Sequence, residues 1–116
     1  MIKKLERSTE HVFGVEIDGK AEHGIFEEFE AELDEMMKKE KINFVFVLKN
    51  FSGYGIKDML SDFRFSFKHW NNIGKIAVVG DKAWEKVATS IDNIFTKWEE
   101  KYFDIADIEK AWEWAE

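Results

Sequence analysis

NFVFVLKNFSGYGIKDML, residues 43–60, decides the fold. Phe44 to Leu48 is apolar at every position, so a strand there has no face for water. Such strands belong to parallel sheets covered above and below by helices, and this one is expected at the centre of its sheet. Asn50 to Gly55 then reads as a loop delivered to one rim, and Ile56 opens a helix. Turning about 100° per residue from Ile56 puts Met59, Leu60, Phe63, Phe67 and Trp70 with it in one inward stripe over Ile56 to Trp70. Phe65 falls opposite, among Asp58, Ser61, Asp62 and His69.

Working outward, Ile2 to Arg7 reads as a weak strand. Val12 to Ile17 alternates Phe13, Val15 and Ile17 against Val12, Gly14 and Glu16, the period of two of a half-buried strand. The two are expected to form a hairpin turning at Ser8 to Glu10. Asp18-Gly19 is a turn signal, and Ala21 to Lys39 carries Ile25, Phe29, Leu33, Met36 and Met37 at helical spacing, with Phe26 at the edge. Beyond the central helix, Asn71-Asn72 makes a stop and Ile73 to Val79 a second buried strand, ending at Gly80. Asp81 is placed to cap a helix with Trp84, Val87, Ala88, Ile91, Phe95 and Trp98 on one face. Lys101 to Phe103 is a short strand. Asp104, with Asp107 three residues on, opens a last helix that turns Ile105, Ile108, Trp112 and Ala115 inward but not Trp114. The expected architecture is α/β, a single domain over residues 1–116: an N-terminal hairpin, then βαβαβα crossovers, giving a mixed five-stranded sheet with four helices.

Composition narrows the function. The 116 residues carry a formal net charge of −7, and the lysines and arginines are dispersed among acids, which speaks against binding nucleic acid. There is no cysteine and only three scattered histidines, so neither disulfides, thiol chemistry nor a metal site is expected. No apolar run approaches the roughly 20 residues that span a bilayer, and MIKKLERSTEHV lacks a signal-peptide core. The expectation is a cytoplasmic protein without integral membrane association.

The order of elements, with the segments FVFVLKNFSGYG, FRFSFKHW, KIAVVGDKAWEK and KYFDIADIEKAWEW, resembles the SpoIIAA-like family across essentially the whole chain. These are small bacterial domains of the STAS type, related in fold to CRAL-TRIO lipid-binding domains. The resemblance implies strands that follow one another as turns of a βα superhelix. STAS proteins that antagonise anti-sigma factors carry a phosphorylatable serine in a motif close to Asp-Ser-Ser-Gly, at the start of the helix after this central strand. Here Ser52 precedes Gly53, but the flanking aspartate and second serine are absent.

Candidate chemistry gathers at the rim. Ser52-Gly53-Tyr54-Gly55 between a strand and a helix offers free N–H groups to a phosphate, carboxylate or headgroup, although the glycines are explained as well by a tight turn. It has neither the third glycine of a dinucleotide fingerprint nor the lysine of a P-loop. Phe51, Tyr54 and Trp84 add aromatic surface for an amphiphile, while Lys49, Asp81 and Lys82 would share the rim. The candidate ligand site is therefore Phe51, Ser52, Gly53, Tyr54, Gly55, Asp81, Lys82 and Trp84. Phe65 and Trp114, off the inward stripes, are candidate interface residues, and if both stand exposed yet ordered a protein contact is expected, a homodimer being one form of it. No catalytic constellation and no cofactor motif stands out. The reading is a non-catalytic module for a small amphiphilic or anionic ligand or a protein partner; the alternative is a regulatory phosphoprotein switched at Ser52.

Overall fold

The computed structural model describes residues 1–53, 56–67, 69–80 and 99–116. Strands β1 (Ile2–Lys4), β2 (Val12–Ala21), β3 (Ile42–Gly53), β4 (Ile73–Gly80) and β5 (Glu100–Asp104) form one sheet in chain order, with β3 at its centre. β1 pairs antiparallel with β2, and every later pair is parallel, so the sheet is mixed as expected. Among the described residues there are three α-helices against the four expected: α1 (Glu30–Met37), α2 (Ile56–Phe65) and α3 (Ile108–Ala115). The helix expected to follow Asp81 lies outside the described residues.

Phe44 to Leu48 is no more than 4% exposed and divides the core in two. Phe44, Phe46 and Leu48 join Phe13, Val15 and Ile17 on a first face, under α1 and α2. Val45 and Val47 join Val12, Ala77 and Val79 on a second face, against Ala111, Trp112 and Ala115 of α3. The first face is thick with aromatic rings. Phe63 is its hub, its ring centroid 4.9 Å from Phe26, 4.8 Å from Phe44, 4.9 Å from Phe46 and 5.1 Å from Phe67. Edge-to-face pairs of this kind contribute about 0.5–1.5 kcal/mol each beyond their buried area.

The second face is thin. Gly14 leaves room for the Trp112 ring, which a Cβ at that position would overlap. Arg7 covers Trp112 from outside, 4.9 Å from a ring centroid, and pairs with Glu109 of α3 at 2.6 Å. Asn43, at the foot of β3, donates to the Ala115 carbonyl at 2.5 Å and accepts from the Lys75 amide at 2.8 Å, tying α3 to β4.

Several boundaries differ from the sequence reading, each for a local reason. Asp18-Gly19 does not end β2, which runs on to Ala21 through a bulge. The helix expected from Ala21 starts at a 3-10 turn, Glu27–Phe29, after Gly24 adopts φ 83°. Phe26 is thereby brought from the stripe's edge into the core, 2% exposed. α2 stops at Phe65, short of Trp70, where the Ser66 hydroxyl donates back to the Asp62 carbonyl at 2.5 Å. Ile105 lies in a 3-10 turn ahead of α3 and is 41% exposed, so it does not face inward.

Gly14→Ala should force the Trp112 ring off the sheet. Overpacking of this kind costs about 1–3 kcal/mol, and a thermal melt should show a lowered midpoint.

Candidate functional site

Parallel pairing points the carboxyl ends of β2 to β5 to one side of the sheet, but not to one level: the last β3–β4 pair is Val47↔Val79, so Gly80, opposite Asp104 of β5, stops where β3 reaches Leu48, and the pair Ala21↔Gly53 lies further on. The central strand is carried there by the bulge. Between the pairs Asp18↔Lys49 and Lys20↔Ser52, β3 advances one residue more than β2. Gly19 takes φ 83° and Asn50 φ 50°, a left-handed conformation that asparagine tolerates better than most residues. The Asn50 side chain donates to Asp18 Oδ1 at 3.4 Å across the bulge. Phe51, Ser52 and Gly53 thus belong to the backbone of β3, with Ser52 opposite Lys20 and Gly53 opposite Ala21, and are not the loop read from the sequence. Tyr54, Gly55, Asp81, Lys82 and Trp84 lie outside the described residues.

Lys49 is engaged by Glu16. The ammonium sits 2.9 Å from Glu16 Oε1, and Lys3 reaches the other carboxylate oxygen at 3.4 Å, so three strands share one ionic cluster on the second face. The Lys49 contact, then that of Lys3, holds the Glu16 carboxyl below its usual range. Asp104 Oδ1 accepts from the Ala106 amide at 3.0 Å, capping the turn that leads into α3. Of the two interface candidates, Phe65 closes α2, and Trp114 is half-buried. The Trp114 ring lies 6.0 Å from Phe103, with the Lys75 ammonium 5.4 Å away and also donating to the Trp114 carbonyl at 3.2 Å.

The most buried ion pair among the described residues escaped the sequence reading. Arg64 of α2 pairs with Glu100 of β5, their side chains 1% and 3% exposed. Burial pushes the guanidinium down to about 10, with Tyr102 nearby working to raise it, so it stays charged at neutral pH. The signal available was weak: on the helical wheel Arg64 falls about 40° from Leu60, at the rim of the inward stripe.

His11 pairs with Glu40 at 2.6 Å and His23 with Asp62 at 3.0 Å, contacts that join surface segments. Among the described residues no group of three or more His, Cys, Asp or Glu is placed to hold a metal ion, and no helix is long and apolar enough to cross a membrane. An open groove of about 530 Å³ follows α1 and His69, bordered mainly by Glu27, Glu30, Asp34 and Glu35.

A hairpin followed by parallel strands wound in chain order, with helices on both faces, defines an α/β domain of the STAS type. The SpoIIAA-like family model matches residues 12–116, and the chain belongs to that family. No curated protein and no solved structure matches it.

Two outcomes follow from the charges. Because Glu16 titrates below its usual range in the folded protein, its contribution is complete above the ordinary carboxylate pKa of about 4.3 and is lost as the pH falls through the lowered value. Urea unfolding between about pH 6 and pH 3 should therefore show a shallower acid decline for Glu16→Gln than for the unaltered protein. Arg64→Met leaves the Glu100 carboxylate buried without its cation, and unfolding free energy should drop by about 3–5 kcal/mol.

Proposed function

We propose that the protein is a non-catalytic recognition module that engages a small amphiphile or anion, or a partner protein, at the rim of residues 50–55 and 80–84. The observation that carries this reading is that four parallel strands end on one side of the sheet, where β2 and β3, past the Gly19 and Asn50 bulge, run on beyond the ends of β4 and β5. In open α/β sheets ligands bind outside the carboxyl ends of the strands. Membership of the SpoIIAA-like family agrees with it, since STAS-type domains often work by binding partner proteins. Within the rim, Phe51, Ser52, Gly53, Tyr54 and Gly55 form one half of the site and Asp81, Lys82 and Trp84 the other.

The phosphoprotein reading also draws on family membership. Against it, Ser52 lies in β3, ahead of a helix that begins only at Ile56, whereas the familiar phosphoserine opens its helix.

Titrating isotope-labelled protein with lysophosphatidylcholine, and separately with inorganic phosphate, should move the amide resonances of residues 50–55 and 80–84 and leave those of β1 in place. Shifts scattered over the surface, or none at millimolar ligand, would sink the small-ligand reading. Phosphate incorporation from a cell extract that is abolished in Ser52→Ala would establish the phosphoprotein in its stead.

A further inference from the structure

The inward residues of α2 do not by themselves fix where the helix sits along the sheet. Met59, Leu60 and Phe63 are all buried and apolar, as is Phe67 just past the helix end, and Phe63 lies over a surface made of Phe26, Phe44 and Phe46. A slide of one turn, about 5.4 Å, would put Met59 where Phe63 now lies and carry Phe63 toward Phe67, whose ring is 5.1 Å away. Apolar groups would still meet apolar groups, so the change in buried area is small.

Arg64 breaks that self-similarity. It is fully buried on the side of α2 that faces β5, and its guanidinium donates to Glu100. Slid one turn in one direction, α2 would present Leu60 to Glu100 and leave the carboxylate buried without a cation. Slid in the other, it would carry Arg64 past its acid and leave both charges without their partner. Both shifts are opposed by the penalty of an uncompensated buried charge.

We propose that the Arg64–Glu100 pair is a positioning contact that selects one axial placement of α2 on the sheet, and is not there to add stability. Buried ion pairs suit such a role, because their attraction does little more than offset the desolvation of both partners, while every misaligned arrangement is strongly disfavoured. α2 is a single rod from Ile56 to Phe65, so the contact at its far end also sets the height at which the helix starts beside the rim. The inference holds whether or not the rim binds a ligand.

The test is the double variant Arg64→Met with Glu100→Leu, which replaces both charges by apolar groups of similar size. It should melt cooperatively at or above the midpoint of the unaltered protein. Its amides at 58–65 and 100–104 should nevertheless split into more than one set or lose protection from hydrogen exchange by about tenfold or more, while those of β2 and β3 stay unchanged. The exchanged pair, Arg64→Glu with Glu100→Arg, should return a single set. A single set with unaltered α2–β5 nuclear Overhauser contacts in the apolar variant would overturn the proposal. So would loss of its cooperative melt, which would make the pair a source of stability, and so would heterogeneity that persists in the exchanged pair.

Discussion

Strand β3 has no side that water reaches, and the rest of the molecule is arranged to satisfy that constraint. A strand buried on both faces needs hydrogen-bonding neighbours on both edges and helices on both sides: the crossover helices α1 and α2 cover one side, and α3, which follows the last strand, covers the other. Its two sides nevertheless ask for different partners. Phe44 and Phe46 present large rings, so α1 and α2 stand off from the sheet and fill the space with Phe26, Phe29 and Phe63. Val45 and Val47 present little, so α3 comes close, using Ala111 and Ala115 at the contact and one large ring over Gly14. The molecule is thick on one side of its central strand and thin on the other, and the alternation of Phe and Val in FVFV already contains that difference.

Much of this was legible because it depends on local periodicity. The apolar run of β3, the alternation in Val12 to Ile17 and the stripe of α2 each follow from residues a few positions apart. The errors fall where one local signal has two structural meanings. Asp18-Gly19 is a turn signal because glycine reaches positive φ, but a bulge uses the same freedom, and only pairing with Lys49 and Ser52 on another strand decides between them. Ile105 is apolar and near a cap, yet a 3-10 turn has a different period from the helix after it, and the residue rotates out to solvent.

Of the candidate site, a direction was legible more than a set of contacts. The order of strands and crossovers suffices to point the ends of β2 to β5 to one side of the sheet, but not to show that β3 runs on to Gly53, past its last pair with β4 at Val47↔Val79. It does not say that Lys49 is already held by Glu16 from the neighbouring strand, because a lysine near a strand end looks the same whether it is paired or free. Nor does it pair Arg64 with Glu100. These residues belong to a helix and a strand joined through β4 and the segment after it, and no spacing rule connects them.

The seating of Trp112 over Gly14 has a bearing on how the chain is made. It joins residues near opposite ends of the sequence, and it is also what covers the second face of β2. During synthesis the hairpin and β3 emerge early and can pair, but that face stays open to solvent until α3 has cleared the ribosome. Contacts of such sequence separation slow folding. Through that interval the nascent chain is half-wrapped, with apolar strand surface available to chaperones or to other chains. The thin side of the sheet, the more economical of the two once complete, is therefore the one exposed for longest while the protein is being born.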